Sequence, residues 1–162
     1  MPRALTQAEI CECFNRLFAI PFNVEMRGGG AEPDYSPPTA KQRGALVARA
    51  DYAASALHEA AHWCVAGSAR RRLPDYGYVY LPPPRNPPDQ RRFFAWELRN
   101  QAVECYLCDA AGLAYRASAD DPELALDALA AFEARVRALS LSPPQRALQL
   151  AAELRSVRDG RL

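Results

Sequence analysis

The chain's two histidines fall in one five-residue string, His58-Glu59-Ala60-Ala61-His62. Residues four apart on a helix lie one turn above each other on the same face, so both imidazoles can reach a single ion. Imidazole suits zinc, iron and other first-row metals, and a buried pair of rings needs a partner of this kind. Two ligands leave the shell unfinished. With no third histidine and no well-placed thiolate, a carboxylate is the expected third ligand. Glu59 projects about 100° around the helix from His58, which suits a catalytic base or an orienting group rather than a ligand. Glu97, Glu104, Asp75 and Asp109 are the other acids of the apolar central region. Glu97, between Trp96 and Leu98, is the first choice for the ligand. Glu104, seven residues further along the same helix face, is the alternative. A carboxylate among apolar neighbours is costly without a counter-charge, and an ion supplies one.

Two chemistries share such a shell. Zinc held by two histidines and a glutamate polarises a water, with Glu59 as general base; this is the metallopeptidase reading of His-Glu-x-x-His. Iron(II) held by two histidines and one carboxylate keeps positions open for dioxygen and a substrate. A metal-dependent ribonuclease is a further reading, disfavoured by the near-neutral charge. A purely structural metal module would need a closed four-ligand shell.

The elements that must position these residues follow from patterning. Thr6 and Glu9 form a capping box for a first helix with the stripe Ile10, Phe14, Leu17, Phe18, ended by Pro21. Phe22 to Met26 reads as a strand, Gly28-Gly29-Gly30 as a turn, Asp34 to Pro38 as an extended edge piece, and Ala45 to Ala50 as another strand. Asp51 is the expected N-cap and Gly67 the expected C-cap of the alanine-rich histidine helix. Tyr76 to Leu81 alternates as a strand, with Tyr76, Tyr78 and Tyr80 on one face. Residues 82–88 hold five prolines and read as a loop. Glu97 to Gly112 reads as a second buried helix, and residues 121–160 as a helical C-terminal part. There, Asp121-Pro122 and the capping box at Ser142 to Gln145 are the expected helix starts. The sum is one α+β domain over residues 1–162: a small mixed sheet packed against helices, one of which carries the metal.

Composition narrows the partners. The net charge is +1 with 24% charged residues, so neither a nucleic acid nor a membrane is an expected partner. The segment Met1 to Thr6 lacks an apolar signal core, which predicts a cytoplasmic protein. Five cysteines (Cys11, Cys13, Cys64, Cys105, Cys108) then read as reduced and mostly structural, the Cys105-x-x-Cys108 pair included.

The text from Ala56 to Arg71 (ALHEAAHWCVAGSARR), then Leu73, Asp75-Tyr76-Gly77-Tyr78-Val79-Tyr80, Glu97, Gln101-Ala102 and Ala110-Ala111-Gly112, resembles the elongation factor P hydroxylase family, most closely over about residues 50–115. The resemblance implies an iron-dependent monooxygenase that uses dioxygen to hydroxylate the β-lysyl-modified lysine of elongation factor P. It maps the iron(II) ligands onto His58, His62 and Glu97, and it implies a fold like that of a bacterial metal-dependent endoribonuclease. No flavin or dinucleotide motif is present, so the reductant is external. Under this reading the Tyr76/Tyr78/Tyr80 face could line a passage for a cationic side chain. Arg70 and Arg71 could contact the substrate protein, and Glu59 could orient a ligand or pair with the substrate ammonium.

Overall fold

The first helix, α1 (Gln7–Phe22), is opened by the Thr6/Glu9 capping box in full: each side chain bonds the other's backbone N–H. These positions come from a computed structural model that describes residues 3–161. Met1 and Pro2 of the N-terminal segment read above, and Leu162, lie outside the described residues. Strands β1 (Val24–Gly30), β2 (Asp34–Ser36) and β3 (Gly44–Arg49) form a mixed sheet in the order β1-β3-β2. β1 runs parallel to β3, with Met26 opposite Leu46; β2 runs antiparallel, with Tyr35 opposite Leu46. Helices α2 (Ala53–Val65), α3 (Pro87–Ala111), α4 (Leu126–Leu139) and α5 (Gln145–Arg158) follow. The chain is thus one small α+β domain with a three-stranded sheet and five α-helices among the described residues. None of these helices is long and apolar enough to cross a membrane.

The histidine helix sits at the centre. α2 packs on α1, α3 and β3, and its alanines explain how. Ala56, Ala60 and Ala61 have no exposed surface, and such short side chains let neighbours approach from several sides. Trp63 anchors the other end of the helix, with the rings of Phe14, Phe18 and Phe22 at 4.8–5.0 Å. Asn15 ties α1 to β1 by bonding both the N–H (2.7 Å) and the C=O (2.9 Å) of Met26.

Several local expectations fail for identifiable reasons. Pro21 does not end α1; it sits within the last turn, and Asn23 closes the helix in the left-handed conformation (φ 51). The glycines 28–30 belong to β1 rather than to a turn. Gly28 is needed because a Cβ there would overlap the Gln7 side chain, which reaches in to bond the carbonyls of Arg49 and Tyr52. Asp51 is exposed in the turn before α2, and Tyr52 is the N-cap, without a side-chain bond. Gly67 does not cap the other end. Ala66 is the C-cap, and two guanidinium groups serve the terminal carbonyls: Arg146 donates to Cys64 O (2.9 Å) and Ala66 O (2.8 Å), and Arg71 donates to Ala66 O. Cations are favoured at a helix C-terminus.

The expected strand at Tyr76 to Leu81 is absent. Residues 70–77 form two short 3-10 turns, and Asp75 and Tyr76 take left-handed φ values of 46 and 59. α3 starts ten residues before Glu97, because Asn86 caps it and Pro87 and Pro88 fill its first positions, where a missing N–H does no harm. Conversely, α4 starts four residues after Pro122. The Asp121 side chain closes a turn onto Glu123 N–H (3.0 Å) instead of capping a helix. The N-cap of α5 is Pro144, with no capping-box bond from Ser142.

Candidate metal centre

α2 presents His58 and His62 one turn apart, and α3, packed against it, presents Glu97, Gln101 and Glu104. The ring planes of the histidines meet at 66° with centroids 4.6 Å apart, and their Nε2 atoms are 2.9 Å apart. Glu97 Oε1 lies 3.6 Å from His62 Nε2. One ligand atom from each of His58, His62 and Glu97 lies within 4.8 Å of the others. This donor set fits a metal. Two donors bound to one ion at about 2.0–2.2 Å lie about 2.9–3.6 Å apart for angles between a right angle and a tetrahedral one.

The supporting bonds orient each donor. His58 donates from Nδ1 to Glu104 Oε2 at 2.7 Å, which fixes the tautomer and leaves Nε2 facing the centre. A carboxylate behind a ligating histidine is a recurrent feature of metal sites. Glu104, the alternative ligand by sequence, therefore stands behind His58 rather than beside Glu97. Gln101 donates to Glu97 Oε2 (3.1 Å) and to Ser118 O (2.6 Å), and its own oxygen accepts from Tyr115 Oη (2.8 Å) and Ser118 N–H (3.0 Å). With Oε2 taken, Glu97 has Oε1 left for the centre.

The electrostatics of the metal-free chain match this arrangement. Burial works against charge on His58, but the Glu104 carboxylate, with Glu97 and Glu59 behind it, outweighs burial and lifts the imidazole to about 10. Burial, reinforced by the His58 charge, pushes His62 well below its usual range. The two Nε2 atoms thus share a hydrogen bond in the place a metal would take. Glu97 is raised, by burial first. Burial also pushes Glu59 up to about 7, against the pull of His58 and with the push of Asp75 and Glu97.

The elongation factor P hydroxylase family model matches residues 13–157, which includes every residue of this centre. The chain belongs to that family. A curated relative from Haemophilus influenzae, named elongation factor P lysine hydroxylase, is 42% identical over 114 residues, covering 70% of this chain. The match covers 64% of that relative, slightly under two thirds of its length.

In this member of the elongation factor P hydroxylase family, the remaining sequence candidates scatter. Tyr76 is buried, stacked on Tyr35 at 4.3 Å and parallel to His62 at 6.1 Å. Tyr78 stacks on Trp96 at 4.6 Å. Tyr80 is exposed and bonds Asp120. The three rings therefore share no face. Arg70 lies over Trp96 near His62, whereas Arg71 turns inward over Phe22 and Trp63 to cap α2. All five cysteines are free thiols, and all but the half-buried Cys105 are buried. Sequence reasoning missed the supporting role of Gln101, although its spacing of four from Glu97 on a helix was the available signal. It also missed Arg99 and Asn100, whose relation to His62 depends on how α3 meets α2.

Proposed function

We propose that this chain is a non-haem iron(II) monooxygenase, acting in the cytoplasm, that hydroxylates the β-lysyl-modified lysine of elongation factor P and so supports translation. The observation that carries this reading is the His58, His62 and Glu97 cluster, with its supporting carboxylate and amide, inside the segment that matches the family. The endoribonuclease-like fold belongs to the same reading. The reaction places one atom of dioxygen in an aliphatic C–H bond of the substrate; the other leaves as water, with two protons and two electrons from an external reductant.

His58, His62 and Glu97 would hold the metal, which when bound supplies the activation of dioxygen. The chain's own contribution is orientation and exclusion. Glu104 holds the His58 ring, and Gln101 holds the Glu97 carboxylate. The buried alanine face of α2 keeps bulk water from one side. Glu59, buried and poised near neutrality, can hold or take up a proton, or meet the ammonium group of the substrate. The partner is the modified elongation factor itself; neither nucleic acid nor membrane takes part directly.

One observation favours a second reading. A carboxyl near pKa 7 beside two histidines also suits the general base of a zinc metallopeptidase. Mass spectrometry separates the two. Iron(II)-loaded protein in air is expected to add one oxygen atom to β-lysylated elongation factor P. Chain cleavage without oxygen gain, lost in Glu59→Gln with metal retained, would assign the peptidase instead. A ribonuclease reading predicts RNA cleavage, which the same preparation can be assayed for.

A further inference from the structure

Glu59, Glu97 and Glu104 are buried, Glu104 against His58 Nδ1 and Glu97 3.6 Å from His62 Nε2. Beyond His62 opens a cavity of about 280 Å³, walled by His62, Tyr76, Trp96, Asn100, Arg70 and Arg99, and no acid lines it. Arg70 is fixed on this wall: its guanidinium lies 4.9 Å from the Trp96 ring centroid and donates to Tyr76 O at 3.2 Å. Asn100, buried, donates to Trp96 O at 3.0 Å. Arg99 is exposed and forms no ion pair among the described residues.

A cavity with two guanidinium groups and no carboxylate repels a cation and attracts an anion. The planar guanidinium fork matches a carboxylate, and the flat Trp96 and Tyr76 walls suit a short carbon skeleton. The volume exceeds that of a few waters at roughly 30 Å³ each and approaches the lower end of organic-ligand pockets, about 300 Å³.

We propose that this cavity is a subsite for a small carboxylate anion, held by Arg70 and Arg99 beside His62. The subsite does not depend on which metal the centre takes. Its link to the reaction rests on the oxygenase reading: the anion sits against the arginine wall, while the cationic lysyl arm is drawn to the acids of the centre.

The test is calorimetric titration of succinate into the metal-free full chain, with Arg99→Gln, the double variant Arg70→Gln/Arg99→Gln and Arg91→Gln alongside. Arg91 is an exposed arginine of the same helix outside the cavity, so it controls for net charge. Thermal melts of the same samples verify folding; Arg99→Gln is expected to melt with the unaltered chain because its side chain is exposed. The expected result is saturable binding, weakened at least about tenfold by Arg99→Gln, lost in the double variant and unchanged in Arg91→Gln, in line with one charge-assisted contact. Absence of saturable binding to the unaltered chain would overturn the proposal. So would equal competition by inorganic phosphate, or equal weakening by Arg91→Gln. Loss of affinity for elongation factor P in Arg99→Gln with succinate affinity unchanged would assign the arginines to protein docking instead. Failure of oxygen insertion would count against the iron reading and leave the binding result standing.

Discussion

The helical wall of the centre and the loop that faces it are built on different principles. On α2 and α3, sequence spacing is already geometry. Four residues separate His58 from His62 and Glu97 from Gln101, and seven separate Glu97 from Glu104, so packing two helices suffices to assemble the cluster. In residues 70–80 the spacing carries no such meaning. Tyr76, Tyr78 and Tyr80 alternate in the sequence yet end in three environments, because Asp75 and Tyr76 are held left-handed. Such backbone costs roughly 1–3 kcal/mol per non-glycine residue and persists only where surrounding contacts impose it. Here the edge strand imposes it: Tyr35 N–H donates to Asp75 Oδ1, Tyr35 Oη donates to Arg71 O, and the Tyr35 ring stacks on Tyr76. A preformed helical wall with a strained, clamped loop against it is the comparison that mutation can break.

The largest effect belongs to the helical wall. Glu97→Ala is expected to abolish both metal retention through gel filtration and oxygen insertion. It removes a donor and leaves Gln101 without one of its acceptors. Metal analysis and mass spectrometry read the two losses separately, and stoichiometric metal in this variant would remove Glu97 from the centre.

The same contrast sets what was legible beforehand. The histidine pair and the α+β class follow from helical period and capping signals, and the choice of Glu97 from its apolar neighbours Trp96 and Leu98 and from the family resemblance. The edge position of β2 followed from its prolines. What stayed hidden depends on tertiary contact. Arg71 and Arg146 replace an expected glycine cap, Gln7 turns a glycine run into strand, and the start of α3 moves because prolines that look like loop also suit the first turn of a helix. Nothing in the residue types of Asp75-Tyr76 signals left-handed backbone, least of all for a bulky aromatic.

Burial of an acid in the helical wall gives the next effect. The Glu59 carboxyl stands near 7 in the folded chain against an ordinary 4.5, so the folded state holds the proton more tightly. That stabilisation is complete below about pH 4.5 and is lost as pH rises through 7. At pH 8 the metal-free chain carries a buried charge that Glu59→Gln removes. Urea unfolding is therefore expected to find the variant more stable by about 3 kcal/mol at pH 8 and little changed near pH 4. Equal stability at pH 8 would mean that Glu59 is solvated or paired.

Glu104→Gln sharpens the distinction between a ligand and the group behind it. The amide keeps an acceptor for His58 Nδ1–H but loses the charge, so metal affinity is expected to fall by about 10–100-fold without being abolished. A loss as complete as that of Glu97→Ala would make Glu104 a ligand. Affinity should also rise with pH in the unaltered chain, because the metal displaces the proton of the hydrogen bond between His58 and His62. Titrations in buffers of different ionisation enthalpy count that proton.

The smallest effects separate the clamped part of the loop from its free end. Gly77 has φ 73, and a Cβ there would meet Leu73 Cδ1 at 2.9 Å. Gly77→Ala is expected to destabilise by about 1 kcal/mol, since the left-handed turn that sets Tyr76 against Tyr35 and His62 tolerates a side chain poorly. Tyr80, three residues on, is half exposed and bonds only the exposed Asp120. Tyr80→Phe should therefore stay within about 0.5 kcal/mol, with oxygen insertion unchanged, because that hydroxyl contributes neither to the clamp nor to the wall of the centre. If Tyr80→Phe instead slowed turnover while Gly77→Ala left it intact, the tyrosines would act on the substrate as a set. The loop would then close over the bound side chain, with its free end ordered by the substrate rather than by the fold.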